Sequence, residues 1–288
     1  MKIAIGLPNA IPRASGLRFA EWAQRAEAAG FSSLGTIGRV VFDSHEELVA
    51  LAAAAGVTRR IGLATTVLIG PVREPVLLAK QAATLDSVSG GRFTLGLGVG
   101  WRDDDFLATG ADFHRRGASL DDQIATLRRI WSGAAPSDRV GPVGPRPARR
   151  GGPELVVGGN APAALERAGR LADGFLAPPF PPGEVEKMIG VVRQARRNAG
   201  LPGAPRVLGA GYFALGDDVR ERALANMTAY YTAGGRPFVE TMTKSLLTTP
   251  ELVRGAIAGL AGIGVDEMFL WPAADDLSQV DRLAEIAL

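Results

Sequence analysis

The sequence predicts a (β/α)₈ (TIM) barrel with a long loop before the fifth strand and an insertion before the eighth, carried by one domain spanning residues 1–288. Three observations predict it. Short apolar runs alternate eight times with longer stretches of helical period, which favours a closed parallel barrel over an open doubly wound sheet. The 288 residues lie near the usual barrel length of about 250. Apolar residues make up 47% of the chain and are spread along its whole length, enough for one large core rather than a core and a tail.

The first strand is KIAIGL (Lys2 to Leu7). Its helix follows in LRFAEWAQRAEAAG, where Phe19, Trp22, Ala23, Ala26 and Ala29 recur at steps of three and four and Gly30 ends the run. SSLGTI (Ser32 to Ile37) precedes a helix around Glu46 to Ala55. RIGLATTVLI (Arg60 to Ile69) precedes a helix within VREPVLLAKQAATLDSVSGG, which Gly90 and Gly91 stop. RFTLGLGVG (Arg92 to Gly100) is the fourth strand, and Ile124, Leu127, Ile130 and Trp131 stripe a helix over Leu120 to Trp131. The Gly-, Pro- and Arg-rich stretch from Gly133 to Pro153 is the long loop. Alternation then resumes with ELVVGG and helix Ala163 to Leu171, GFLA and helix Glu184 to Ala199, and RVLGAGYFAL and helix Asp217 to Tyr231. The insertion Thr232 to Thr248 interrupts before helix Pro250 to Gly262, strand DEMFLW and a closing helix, Leu277 to Leu288. A Rossmann-like sheet with GLGVG as its dinucleotide turn is the competing architecture. Gly96, Gly98 and Gly100 give G-x-G-x-G rather than G-x-G-x-x-G, and at the fourth strand, which argues against it.

Composition removes several functional classes. The 32 basic and 30 acidic residues leave a formal charge of +2, and the densest basic run, Arg146, Arg149 and Arg150, is broken by Pro and Gly, so no nucleic-acid track is expected. Without cysteine there is no disulfide, thiolate nucleophile or thiolate-bound metal, and His45 and His114 cannot build a His-rich metal site, so no metal is expected. MKIAIGLPNA has too short an apolar run for a signal peptide and no stretch approaches a membrane span. A cytoplasmic protein without membrane partners is the expectation.

A barrel builds its site at the carboxyl ends of its strands. Here those positions include Asn9, Arg39, Thr65, Thr66, Trp101, Asn160 and Trp271, a mixture that suits a planar apolar ligand with hydrogen-bonding edges but also an ordinary polar barrel mouth. LVVGGNAPAALERAG is more specific. A strand runs into Gly158-Gly159, Asn160 can cap or donate, Pro162 fits a first helical turn, and the positive helix end favours phosphate. The plain alternative is a βα turn in which Gly serves only steric needs.

DSHEELVALAAAAGVTRRIGLATTV, then LLAKQAATLDSVSGGRFTLGLGVGW within Pro75 to Trp101, then VVGGN, LADGF and TTPELV resemble, across nearly the whole chain, the bacterial-luciferase-like monooxygenase family. The resemblance implies an oxidoreductase that binds FMN or a deazaflavin (coenzyme F-420) with the ring across the barrel mouth. It places the cofactor phosphate on Gly158 and Gly159, and it places a bulge with a non-prolyl cis peptide, which supports the ring, within Thr65-Thr66-Val67. With deazaflavin the implied chemistry is hydride transfer to or from a small organic substrate, with FMN monooxygenation, usually with reduced cofactor supplied by a separate reductase. The absence of long insertions inclines the reading to deazaflavin.

Within that frame Arg39 follows the second strand, where relatives place a polar residue near the reacting edge; its alternative is a surface ion pair to Asp43 or Glu46. His45 is either a proton donor or a solvated helix-start residue. Trp101 is either a stacking wall for the ring or a rim packing residue. Asp103, Asp104 and Asp105 read as a solvated first helical turn, and Arg116 as a partner of Asp121 or Asp122. Asn9, Tyr231, Phe238 and Trp271 are candidates for the substrate pocket, with the insertion as its wall or as a dimer contact in a homodimer. A barrel hydrolase or lyase would need two convergent carboxylates that the strand ends do not offer. A family member that has lost its cofactor and acts as a non-catalytic partner is the remaining alternative.

Overall fold

The computed structural model describes residues 1–288 and places every strand in a single closed parallel sheet. β1 (Lys2–Gly6) pairs with β2 (Ser33–Thr36) on one side and with the last strand, β9 (Glu267–Pro272), on the other. The third barrel strand is interrupted: β3 (Gly62–Thr65) and β4 (Leu68–Ile69) both pair with β5 (Phe93–Gly98), and the β3–β5 pairing closes the ring. β6 (Glu154–Gly158), β7 (Gly174–Leu176) and β8 (Arg206–Phe213) complete eight barrel strands in sequence order.

The helices lie outside. α1 (Phe19–Ala29), α2 (Glu47–Val57) and α3 (Pro75–Val88) follow the first three barrel strands, and α1 ends as predicted at Gly30, whose φ of 100° suits glycine. α2 and α3 open on side-chain caps, Glu46 accepting from Val49 N–H and Glu74 accepting from Val76 and Leu77 N–H. After β5 comes a short α4 (Asp103–Thr109) and then α5 (Arg116–Trp131), one turn longer at its start than the apolar stripe predicts. Residues 132–153 form the long loop, which is held to the barrel by Lys80 donating to Gly144 O and Arg149 donating to Gly91 O. α6 (Pro162–Leu171), α7 (Pro182–Asn198) and α8 (Arg220–Tyr231) follow β6, β7 and β8. The insertion folds into a 3₁₀ turn (Thr232–Gly234) and α9 (Arg236–Lys244), before α10 (Pro250–Gly262) and the terminal α11 (Ser278–Ala287).

Alternation along the strands divides the core in two. Ile3, Ile5, Leu63, Leu95, Leu155 and Val207 face outward into the layer shared with Trp22, Leu51, Leu78 and Leu127 of the helices. Ala4, Ala64, Val156, Leu208, Ala210 and Phe269 face inward and fill the barrel, whose upper end they share with Tyr212, Tyr231 and Trp271. The opposite end is closed by polar groups at the strand starts: Arg206 bonds both Glu154 and Glu267, Thr94 donates to Glu154 and Ser32 donates to Glu267.

Candidate functional site

A cavity of about 570 Å³ opens at the carboxyl ends of the strands, within the range of small-molecule sites. Every barrel strand except the first contributes to its lining, directly or through the turn that follows it.

One wall is the interruption between β3 and β4. Leu63 pairs with Phe93 and Leu68 with Leu97, so five steps on the third barrel strand face four on β5, a bulge of one residue. The Thr66–Val67 peptide bond inside it is cis, at the position the family resemblance implied. The bulge is accommodated by missing side chains opposite it. A Cβ on Gly98 would stand 2.7 Å from Val67 Cγ2, one on Gly158 would stand 2.9 Å from Val67 Cγ1, and one on Gly96 would collide with the Thr65 carbonyl. GLGVG is therefore packing space for the third strand, and Val67 is pushed into the cavity between two strand ends. Thr66 Oγ1 donates to Thr36 O at 3.0 Å and accepts from Trp271 Nε1 at 2.9 Å, which ties the bulge to β2 and β9.

The turn after β6 forms the adjoining wall. Gly158, Gly159 and Asn160 line the cavity, and Gly159 has a φ of 141°, open to glycine alone among common residues. Ala161 is the N-cap of α6 and provides no side-chain cap, and the N–H groups of Gly159, Asn160 and Ala161 donate to no protein acceptor. Unpartnered donors beside the positive end of a three-turn helix suit a phosphate. Of the two roles the sequence offers Asn160, capping falls away, since Ala161 is the N-cap; its exposed side chain forms no protein hydrogen bond and is free to donate.

A charged cluster borders the cavity on the β2 and β5 sides. Arg39 is 5% exposed at its side chain and pairs with Asp104 at 3.4 Å and Asp105 at 3.8 Å, not with Asp43 or Glu46. Its Nη1 donates to Tyr230 O at 3.2 Å, and its guanidinium lies 5.3 Å from the Phe42 ring centroid and 5.8 Å from that of Tyr230. Burial, with Arg102 nearby, lowers the pKa of Arg39, and Asp105 and Asp104 oppose that shift; the guanidinium stays charged. Asp104 is held below the usual carboxylate range by its hydrogen bond to Arg102. Asp105 is buried, and its Oδ1 accepts from Val40 N–H at 2.9 Å and Val41 N–H at 2.8 Å, fixing the β2 loop that carries Arg39. The three acids do not share one solvated face. Each step along a helix turns about 100°, so Asp103 is exposed while Asp105 points inward.

The last wall is aromatic. Trp101 is half exposed at the rim and meets Phe238 of α9 edge-on at 5.6 Å, and Phe238 meets Tyr231 at 5.4 Å. Tyr212 of β8 hydrogen-bonds Tyr231 hydroxyl to hydroxyl at 2.7 Å and packs against Trp271 at 5.1 Å. Burial raises the pKa of Tyr212, Tyr230 and Tyr231, so all three are neutral phenols.

The structure thus brings Arg39, Trp101, Thr66, Val67, Gly158, Gly159, Asn160, Tyr231, Phe238 and Trp271 to one cavity. Three predicted positions fall outside it. Asn9 is fully buried, and its Nδ2 donates to Ile37 O at 2.7 Å and His45 O at 3.1 Å, so it ties the first two strand ends together rather than facing substrate. His45 is exposed, stacks edge-on against Phe19 at 4.8 Å and sits over Gly16, which leaves it without a place in the cavity lining. Thr65 points away, its Oγ1 donating to Gly96 O and accepting from Gly96 N–H, because alternation gives it the face opposite Thr66. Arg116 lies over the Phe113 ring and donates to Phe113 O; Asp121 pairs instead with Arg167. The sequence reading missed Tyr212. Tyr212 was accessible through the inward alternation of Leu208, Ala210 and Tyr212, whereas Tyr230 reaches the cavity only because α8 ends over the barrel mouth.

Comparisons with known proteins agree with this geometry. The family model described as luciferase-like monooxygenase matches residues 3–284. An uncharacterised protein of Mycobacterium tuberculosis is 31% identical over 210 residues, covering 62% of this chain and 71% of that protein. An FMNH(2)-dependent dimethylsulfone monooxygenase of Pseudomonas putida is 29% identical over 223 residues, covering 70% of this chain and 59% of that one. Among solved structures, a monooxygenase from Streptomyces bottropensis superposes with a TM-score of 0.78 at 25% identity, covering 100% of this chain and 98% of that one. A secondary alcohol dehydrogenase dependent on coenzyme F-420, solved with an F-420–acetone adduct, superposes with a TM-score of 0.79 at 18% identity, covering 99% and 98%.

Proposed function

Because the chain belongs to the luciferase-like monooxygenase family, we propose that it is an oxidoreductase using a reduced deazaflavin to transfer hydride to or from a small organic substrate. The observation that carries the reading of a flavin-type site is the cradle between the Thr66–Val67 bulge and the Gly158–Gly159 turn: an apolar support beside three unpartnered N–H donors. When bound, the cofactor supplies the two-electron chemistry, so the protein needs no nucleophile of its own. Val67 supports one face of the ring, the Gly159, Asn160 and Ala161 N–H groups hold its phosphate, and Arg39 faces the site as a fixed positive charge. Trp101 and Phe238 cover the mouth and limit access of water.

FMN-dependent monooxygenation is the second reading, favoured by the likeness to the dimethylsulfone monooxygenase. A member that has lost its cofactor is the third. Anaerobic titration with reduced deazaflavin and with reduced FMN, followed by absorbance, separates all three: preference for deazaflavin supports the first, preference for FMN replaces it with the second, and affinity for neither sinks both. Gly158→Val drives a side chain onto Val67 and should weaken the preferred cofactor at least tenfold, about 1.4 kcal/mol; unchanged affinity would remove the cradle from the site.

The protein is also proposed to be a homodimer that takes reduced cofactor from a separate reductase. Light scattering at twice the 30.1 kDa chain mass is the expected result, and a monomer at micromolar concentration would refute it.

A further inference from the structure

The Tyr212–Tyr231 pair carries an unspent hydrogen bond. Two hydroxyls bring two hydrogens, and only one is used between them, at 2.7 Å, with either oxygen able to donate. Neither hydroxyl bonds any other protein acceptor, and both side chains are buried in the cavity wall at 5% and 9% exposure. A buried donor without an acceptor costs about 1–3 kcal/mol, so a partner is normally present when such a wall is occupied.

The surroundings say what that partner is. Around the pair the cavity is lined by Leu176, Met242, Phe238 and Trp271. Of the neighbouring polar groups, Thr66 is engaged with both Thr36 and Trp271, and Tyr230, packed on Tyr231 at 5.0 Å, reaches Gly38 O at 3.5 Å. A crevice of about 20 Å³ lies behind the tyrosines; its lining is mostly apolar, with Leu7, Ala10, Ile11 and Met227, and Asn226 and Tyr230 are its polar members beside the pair.

We propose that the Tyr212–Tyr231 hydroxyl pair is a substrate-oxygen anchor, donating one hydrogen bond to an uncharged carbonyl, ether or ester oxygen on a compact apolar substrate. The inference rests on the reading of this cavity as the substrate site. An anionic group is disfavoured there by the same burial that keeps the phenols protonated. Trp271 links the pair to the bulge, packing on Tyr212 and donating to Thr66, so a substrate held by the pair lies in the compartment that Val67 also faces. For a carbonyl substrate, a donor at oxygen withdraws electron density from the carbon at which either version of the chemistry acts.

The pair makes an unusual arithmetic prediction. Removing one hydroxyl frees the hydrogen of the other, so each single variant still owns one donor, and only the double variant owns none. Cyclohexanone and methylenecyclohexane, which share a shape but differ in the oxygen, are the probes, with dissociation constants from ligand-observed NMR on the whole chain with and without FMN. The parent is expected to bind the ketone about tenfold more tightly than the alkene. Tyr212→Phe and Tyr231→Phe should each keep most of that preference, and the double variant should lose it while binding the alkene as before. Equal binding of the two probes by the parent, loss of the preference in each single variant, or its survival in the double variant would overturn the anchor. The parent measurement needs no variant to fold. Failure of FMN and deazaflavin to bind would sink the cofactor reading alone, because the ketone preference is read without either.

Discussion

Asp105 shows how one buried carboxylate organises the mouth of the barrel. It accepts two backbone hydrogen bonds from the loop after β2 and faces the Arg39 guanidinium, so its removal strips two N–H groups and one cation of a partner. Asp105→Ala should therefore lower stability by about 3 kcal/mol, read from the urea midpoint, whereas Asp105→Asn keeps an acceptor oxygen and should cost less. Equal losses in the two variants would show that the acceptor oxygen is not what holds the loop. The residues of this site were unevenly legible. Trp101, Trp271 and the Gly158–Gly159 pair follow apolar strands directly and can be found from position alone. Asp105 cannot, because nothing in three consecutive acids says which one the helix turns inward. Asn9 was misplaced for a related reason: a strand end fixes where a residue begins, but not which neighbour its side chain reaches first; His45 takes the second of its two readings, a solvated residue at a helix start.

Elements are joined by contacts that answer to pH. Glu27 near the end of α1 accepts from the N–H groups of Arg59, Arg60 and Ile61 and so fastens that helix to the entry of β3. Partial burial raises its pKa, but those backbone donors outweigh the effect and leave it below the ordinary 4.5. A carboxylate held low in the native state contributes stability that is fully present above its unfolded value and lost as pH falls through the native one. The urea midpoint should thus decline between about pH 5 and about pH 3, and Glu27→Gln should flatten that decline; a parallel decline in the variant would assign it to other carboxylates. Glu47 works the other way. Burial first raises its pKa, against the pull of Arg73, so its contribution diminishes as pH rises. At this scale the sequence predicted every barrel strand and the helix after it, with boundaries displaced by up to four residues. The break in the third barrel strand is the element whose form periodicity does not reveal, since RIGLATTVLI reads as one uninterrupted apolar run.

The whole molecule separates its stability from its chemistry. Glu267, buried at the start of β9, joins Arg206 and Ser32 at the end of the barrel remote from the cavity, in the division of labour usual for this architecture. Glu267→Ala should lower stability by about 2–3 kcal/mol and leave cofactor affinity unchanged, measured by urea denaturation and anaerobic titration. A variant that lost affinity in proportion to stability would show the two ends to be coupled. The insertion belongs to this scale as well. Thr232 to Lys244 folds back over the mouth, and Phe238 places it against Trp101 from the far side of the ring of strands.

By itself the sequence determined the barrel, the order of its elements, the long loop and the family, because each of these depends on local periodicity and on motifs contiguous along the chain. Only the tertiary structure decided which side chains meet. The bulge at Thr66–Val67 exists where Gly98 and Gly158, on two other strands, leave room for Val67. Arg39 is buried because α4 delivers Asp104 and Asp105 to it, and the tyrosine pair exists because α8 ends above β8. Contacts between residues 19 to 91 positions apart are set by how strands close into a ring, and no window along the chain contains them.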